Sequence, residues 1–143
     1  MTIVIGPLFE HRAVISAIAQ QYPVHVRLLG PIAPAALATL MDQADAAITT
    51  GGGTMYEGCA RGLPGIVIPI LDKMDHNAKV LARQGAIVRL PRIDQLTAEV
   101  LVHAVTTVCS YTRRRAMSQA GRCVVDGQGA ERIATRLMEA WRL

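Results

Sequence analysis

Residues 48–58 read Ile48-Thr49-Thr50-Gly51-Gly52-Gly53-Thr54-Met55-Tyr56-Glu57-Gly58. What flanks the three glycines decides the fold. Before them, the apolar run from Ala46 to Thr49 reads as a short buried strand. After them, Thr54 to about Arg61 reads as a helix that Gly62 and Pro64 stop. Three consecutive glycines are costly in chain entropy. A strand–glycine–helix junction built this way therefore asks for a reason beyond reversing the chain.

Working outward, apolar runs alternate with helical patterns. Thr2 to Gly6 and Val24 to Leu29 read as the first two strands. Gly65 to Ile70 and Ala86 to Leu90 read as the fourth and fifth. Between them, Val14, Ile15, Ile18 and Ala19 mark one helix face, and Leu37, Leu40, Met41 and Ala44 another. A further helix is expected from about Asp75 to Gln84, ended by Gly85. Val100, Leu101, Ala104, Val105 and Val108 mark the next. The tail has Ala130, Ile133, Ala134, Leu137, Met138 and Trp141 at strict helical spacing, after the punctuation of Asp126 to Gly129. Trp141 is expected to pack in that helix's seam or to meet a partner domain.

Strands alternating with helices specify βαβ units and a parallel sheet. Continuous apolar strands fit a sheet covered on both faces. The expected fold is α/β, a Rossmann-like three-layer sandwich with a parallel five-stranded sheet and helices on both faces. The expected order is 2-1-3-4-5 or a close variant, in a single domain over residues 1–143. That order sets the loop at Gly6-Pro7 beside the glycines, at the switch point where open α/β sheets bind ligands.

Bulk composition narrows the classes. Of 143 residues, 51% are hydrophobic but only 3% aromatic, so the core is aliphatic and suits helices packed on a sheet. No apolar run approaches the roughly 20 residues of a membrane span. The N-terminus has neither a basic region nor a cleavage site, so no signal peptide is expected. Cys59, Cys109 and Cys123 are odd in number and read as free thiols of a reducing, cytoplasmic compartment, with a peripheral place at the inner membrane left open. The net charge of +4 concentrates at Arg113, Arg114, Arg115 and Arg122. These read as a solvated helix face, against contact with anionic lipid or a partner. No aromatic stacking set or recognition motif accompanies them, so nucleic acid is not expected.

The loop's chemistry follows from its place. Bare N–H groups at a helix start, at the C-terminal edge of a parallel sheet, bind anions, usually phosphate. No Lys-Ser/Thr follows, so the loop is not a P-loop. Gly51 and Gly53 begin a dinucleotide pattern, but Tyr56 stands where its third glycine belongs and the strand is the third, not the first. An NAD- or FMN-binding, flavodoxin-like domain remains an alternative on those grounds. Thr54-Met55-Tyr56-Glu57 has two readings that compete for one carboxylate. It is a capping box, with Glu57 reaching back to the Thr54 amide, or Glu57 accepts from the ribose hydroxyls of a nucleotide.

The set Ala44-Asp45, Gly51-Gly52-Gly53-Thr54, Glu57, Gly62-Leu63-Pro64 and Asn77-Ala78 resembles the signature of the C-terminal half of GT-B nucleotide-sugar enzymes, the glycosyltransferase family 28 C-terminal domain type. With the tail from Asp126 to Ile133, the sequence resembles the UDP-sugar hydrolases of pseudaminic acid synthesis and their spore-coat polysaccharide relatives. The resemblance covers nearly the whole chain. It implies that Gly51, Gly52, Gly53 and Thr54 hold a diphosphate and that Glu57 binds the ribose. It places Gly6 on the other side of the pyrophosphate and Ile32, with Ala33, near the base. It turns Asp75, His76 and Asn77 toward the sugar or an opposing domain. It implies a UDP-sugar as ligand and no cofactor. In the family, catalysis lies in a cleft between two halves, and the N-terminal half is not found in this sequence. The chain is therefore expected to act in hydrolysis or glycosyl transfer with an N-terminal half supplied elsewhere. The alternatives are a non-catalytic interaction module or the separate subunit of a split GT-B enzyme, and a homo-oligomer also stays open.

Among other candidates, Asp72, Asp75 and His76 form only a weak metal pattern, so no metal is expected. His76 is a candidate base. His11 reads as a surface residue at a helix start, and His25 and His103 as structural. Cys59 reads as buried on an apolar helix face rather than activated.

Overall fold

A computed structural model describes residues 1–141. The chain divides into two compact units, Met1–Leu40 and a second beginning at Met41.

In the first unit, β1 (Thr2–Val4) and β2 (Arg27–Leu29) pair in parallel, Ile3 opposite Leu28. α1 (Arg12–Gln20) connects them and buries Ala19. α2 (Pro34–Gln43) follows β2, its proline at the first helical position, where the missing N–H is not needed. The division between the units falls within this helix.

The second unit holds β3 (Ala47–Thr49), β4 (Gly65–Val67) and β5 (Ile87–Arg89), parallel and in that order. α3 (Gly53–Arg61) joins β3 to β4, and α4 (Asp72–Arg83) joins β4 to β5. A single 3-10 turn at Ile93–Gln95 leads to α5 (Ala98–Cys109), α6 (Tyr111–Val124) and α7 (Gly129–Trp141). β4 is central, and all three of its residues are buried. Successive residues point to opposite sheet faces. Val67 and Ile87 therefore pack with Met55, Cys59, Ala78 and Leu81 of α3 and α4. Ile66 packs with Ala104 and Val108 of α5 and Met117 of α6 on the other face.

The parallel strands flanked by helices agree with the α/β expectation, but the single five-stranded sheet does not form. The strands make two sheets, one of two and one of three. Apolar runs locate strands but say nothing about which edges pair. Each strand has three residues, shorter than the runs that announced it, and its few ladder bonds go to one neighbour on each used edge. β3, for example, is tied to β4, with the Ala47 amide on the Pro64 carbonyl and the Ile68 amide on the Thr49 carbonyl.

Two close approaches lock α6 against α3. A Cβ on Gly121 would lie 3.1 Å from the Cys59 carbonyl oxygen and 3.3 Å from its Cα. Arg122 donates from Nε and Nη2 to the Arg61 carbonyl, capping the C-terminus of α3 where Gly62 turns left-handed. Arg114 does the same for α5, donating to the Val108 and Cys109 carbonyls. Two of the four late arginines thus sit at helix C-termini, where the dipole favours cations. Arg113 and Arg115 are exposed. The helix Tyr111–Val124 that carries all four was not read as an element of its own in the sequence. His25 and His103 are both exposed rather than packed.

Candidate functional site

The glycine loop leaves β3 at its C-terminal edge. Gly51 adopts φ +87°, and a Cβ there would lie 3.1 Å from Val67 Cγ1 and 3.3 Å from Met74 Cβ. A side chain is disfavoured by the conformation and crowded by Val67 of β4 and Met74 of α4. Gly52 is extended and is the N-cap of α3, which begins at Gly53 with no side-chain cap. Thr54 lies inside the helix, so the capping box is not formed. The Met55 amide turns back to the Gly52 carbonyl at 3.1 Å. The amides of Gly53 and Thr54, among the orphan donors of a helix start, have no carbonyl partner among the described residues. A Cβ on Gly53 would meet nothing within 4 Å. The result is an open, positively polarised helix end lined by bare backbone. Glu57, one turn on, is exposed and takes no part in capping.

The Asp75-His76-Asn77 segment is helical rather than a turn. α4 starts at Asp72, closed by the Asp75 amide on the Leu71 carbonyl at 3.0 Å. Carboxylates in the first turn suit its dipole. Consecutive helical residues diverge by about 100°, so the three side chains go separate ways. Asp75 is buried and bonded to Arg89 Nε at 2.5 Å and Lys79 Nζ at 2.7 Å. Those two cations, Arg89 foremost, lower its pKa to about 2. Its carboxylate is thereby committed to tying α4 to β5. Asp72 pairs instead with Arg92. The two acids of the weak metal pattern therefore face different arginines.

His76 is exposed and Asn77 half-buried. Both line an open cavity of about 400 Å³ with Tyr56 of α3, Val80 of α4, and Asp126 and Arg132. Arg132 holds Asp126 through both carboxylate oxygens, at 2.5 and 3.1 Å, and Asp126 also accepts from the Gln128 amide at 3.0 Å. These contacts, Arg132 foremost, hold the Asp126 carboxyl below its usual range. The cavity brings Tyr56 of α3 and the middle of α4 together with the start of α7. In the sequence, Asp126 to Gly129 stands as punctuation and Asp126 to Ile133 as part of the family resemblance, neither of which assigns a role to the Asp126–Arg132 pair. The six-residue spacing of Asp126 and Arg132 across a helix start was the signal available.

Gly6 and Ile32 belong to the first unit. Gly6 is exposed after β1, its carbonyl accepting from Arg12 Nη2 at 2.9 Å, and Ile32 is half-buried after β2. Cys59 is 1% exposed, and burial raises its pKa. His11 precedes α1 and meets the Phe9 ring edge-on at 6.0 Å. No helix among the described residues is long and apolar enough to cross a membrane.

Comparison with known proteins agrees with this geometry. The profile of the glycosyltransferase family 28 C-terminal domain matches residues 34–137. The spore coat polysaccharide biosynthesis protein SpsG of Bacillus subtilis (strain 168) is 34% identical over 106 residues, which are 73% of this chain and 31% of that protein. The UDP-N-acetylglucosamine–N-acetylmuramyl-(pentapeptide) pyrophosphoryl-undecaprenol N-acetylglucosamine transferase of Xanthomonas campestris pv. campestris (strain 8004) is 31% identical over 93 residues, covering 62% of this chain and 22% of the transferase. Among solved structures, Acinetobacter baumannii MurG superposes with a TM-score of 0.73 at 20% identity, over 97% of this chain and 42% of its own. At that identity the likeness shows a shared GT-B fold alone. The chain spans less than half the length of each of these relatives. With the family profile covering most of its length and the loop, helix and strand order in place, the chain belongs to the glycosyltransferase family 28 C-terminal domain family.

Proposed function

We propose that this chain binds the diphosphate and ribose of a UDP-sugar, and that it works with an N-terminal half in nucleotide-sugar hydrolysis or glycosyl transfer. The observation that carries this is the uncapped start of α3. Gly52 is the N-cap with no side chain to offer, Gly53 faces open space, and Glu57 stands free one turn on. Oxyanions fit such an end through backbone N–H groups and the helix dipole. In the reaction the same groups stabilise charge that develops on a departing diphosphate. Glu57, free of the capping role, is the acceptor for the ribose hydroxyls. The name of one relative, a transferase with UDP-N-acetylglucosamine in its title, supports the ligand class.

Isothermal titration of the chain with UDP tests the reading. UDP binds, and Glu57→Ala weakens it by about tenfold, the worth of a charged hydrogen bond. The variant keeps its thermal stability, as surface substitutions usually do. No binding of UDP at millimolar concentration, or unchanged affinity in Glu57→Ala, overturns the assignment of these groups.

A further inference from the structure

α3 is open at its start and closed at its end. At the C-terminus the Gly62 amide donates to the Cys59 carbonyl and the Leu63 amide to the Gly58 carbonyl, each at 2.9 Å, the paired bonds of a Schellman stop. Arg122 of α6 then takes the Arg61 carbonyl, Nη2 at 2.9 Å and Nε at 3.3 Å. It seats so closely that a Cβ on Gly62 would collide with Arg122 Nε and with Ser118 Oγ. One residue before Arg122, Gly121 lies against the Cys59 backbone. α6 itself is fixed elsewhere. Met117, one turn before Gly121, is 1% exposed and packs with Ile66 of β4 and Val108 of α5. A helix rooted in one core thus grips the last turn of a helix that belongs to the other.

The start of α3 cannot set the helix direction as firmly. It is entered through Gly51, Gly52 and Gly53, and glycine leaves the backbone its widest freedom. Gly51 is fitted to Val67 and Met74, but a Cβ on Gly53 would meet nothing within 4 Å. A helix of 9 residues is about 13 Å long. A tilt of about 5° moves one end of such a rod by about 1 Å relative to the other. Binding groups need to be held within about 0.5 Å, so a small loss of grip at the last turn misplaces the amides at the first. The direct field of the guanidinium matters less. Across the helix length of about 13 Å its charge is largely screened, the Debye length being about 8 Å at physiological salt. The link between the two ends is therefore the rigid helix rather than charge.

We propose that Arg122 is a positioning residue for the diphosphate site. By holding the last carbonyl of α3 it sets the direction of the helix and so aims the Gly53 and Thr54 amides at the far end. The proposal rests on the nucleotide reading of that end. The test is UDP titration at a temperature where circular dichroism shows every variant folded. Arg122→Ala weakens UDP binding by about tenfold, within the range of substitutions that act through a packed network. Arg122→Lys, which keeps a cation and a donor for the same carbonyl, recovers all but about threefold of the affinity. Thr97→Ala is the control for stability alone. It removes the side-chain cap of α5, whose Oγ1 accepts from the Val100 amide, costs about 1 kcal/mol, and leaves UDP affinity at the parent's value. The amide resonances of Gly53 and Thr54 give a second readout without ligand. They move in Arg122→Ala and stay in place in Thr97→Ala. Three results overturn the proposal: parent affinity in Arg122→Ala, an equal loss in Thr97→Ala, or Gly53 and Thr54 resonances that Arg122→Ala leaves unmoved. Failure of the parent chain to bind UDP is a separate result and overturns the nucleotide reading on which the proposal stands.

Discussion

Gly53→Ala separates what the glycine loop does for the fold from what it does for a ligand. Gly53 is the first helical residue of α3 and needs no left-handed conformation. A Cβ added there meets nothing within 4 Å. On structural grounds alone, alanine is therefore tolerated and even favoured, since it loses less chain entropy on entering a helix, by about 0.5–1 kcal/mol. At this size of domain that is a rise of about 2–4 °C in melting temperature. The proposed diphosphate sees the opposite. The methyl occupies the space through which an oxyanion approaches the Gly53 and Thr54 amides. Loss of one charge-assisted hydrogen bond costs about 1.5–3 kcal/mol, or about ten- to hundredfold in UDP affinity. The assays are a thermal melt and a UDP titration on the same preparation. Affinity equal to the parent's with the melt unchanged or raised refutes the cradle. A fall in both measurements means that the loop needs glycine for folding, and the argument from open space fails.

Other substitutions test the scaffold. Gly121→Ala puts a methyl 3.1 Å from a backbone carbonyl that cannot swing aside; overpacking of this kind costs about 1–3 kcal/mol, read as a lower midpoint in urea with an unchanged slope. Asp75 has its folded pKa lowered to about 2 from an ordinary 3.8. Its contribution is complete above about pH 4 and disappears as pH falls through 2, so Asp75→Asn lowers stability at pH 7 and flattens its loss between pH 4 and 2; an acid limb identical to the parent's contradicts the Arg89–Asp75–Lys79 assignment. Cys109 and Cys123 are exposed, whereas Cys59 is buried with a raised pKa. A disulfide exchange reagent at pH 8 is expected to titrate two thiols quickly and the third only on unfolding.

Much of the second unit was legible because its signals are local. Gly62 and Gly85 take the positive φ that ends α3 and α4 where the sequence placed those stops. The continuous apolar residues of β4 serve both sheet faces, Val67 one and Ile66 the other. What the sequence did not carry was anything that depends on a choice between equivalent partners. Which strand edges pair was one such choice, and the five-stranded sheet was lost there. The start of α4 was another. Asp75 has the better-looking acid for a helix start, but the chain already turns at Leu71, and three residues earlier is enough to move Asp75 from a loop to the helix interior face. The Asp126–Arg132 pair escaped for a related reason, since its six-residue spacing has meaning only once a helix is known to begin between them.

The rival readings of Glu57 were separated by a shift of two residues. Had the N-cap been Thr54, its hydroxyl and the Glu57 carboxylate would have satisfied the amides at the helix start reciprocally, for about 1 kcal/mol of stability. The cap instead falls on Gly52. Thr54 then becomes a residue of the first turn whose own amide is among the free donors, and Glu57 moves too far along the helix to reach back to the cap. A side-chain cap and an incoming oxyanion compete for the same N–H groups. A helix that starts on three glycines gives up the first and keeps the donors open. Nothing in the packing of this unit accounts for Gly53, whose neighbourhood is empty. Gly51 alone is required by the fold, through its positive φ and the wall of Val67 and Met74. The excess of glycine over structural need, at a loop position facing open space, is what favours the proposed ligand over a simple turn.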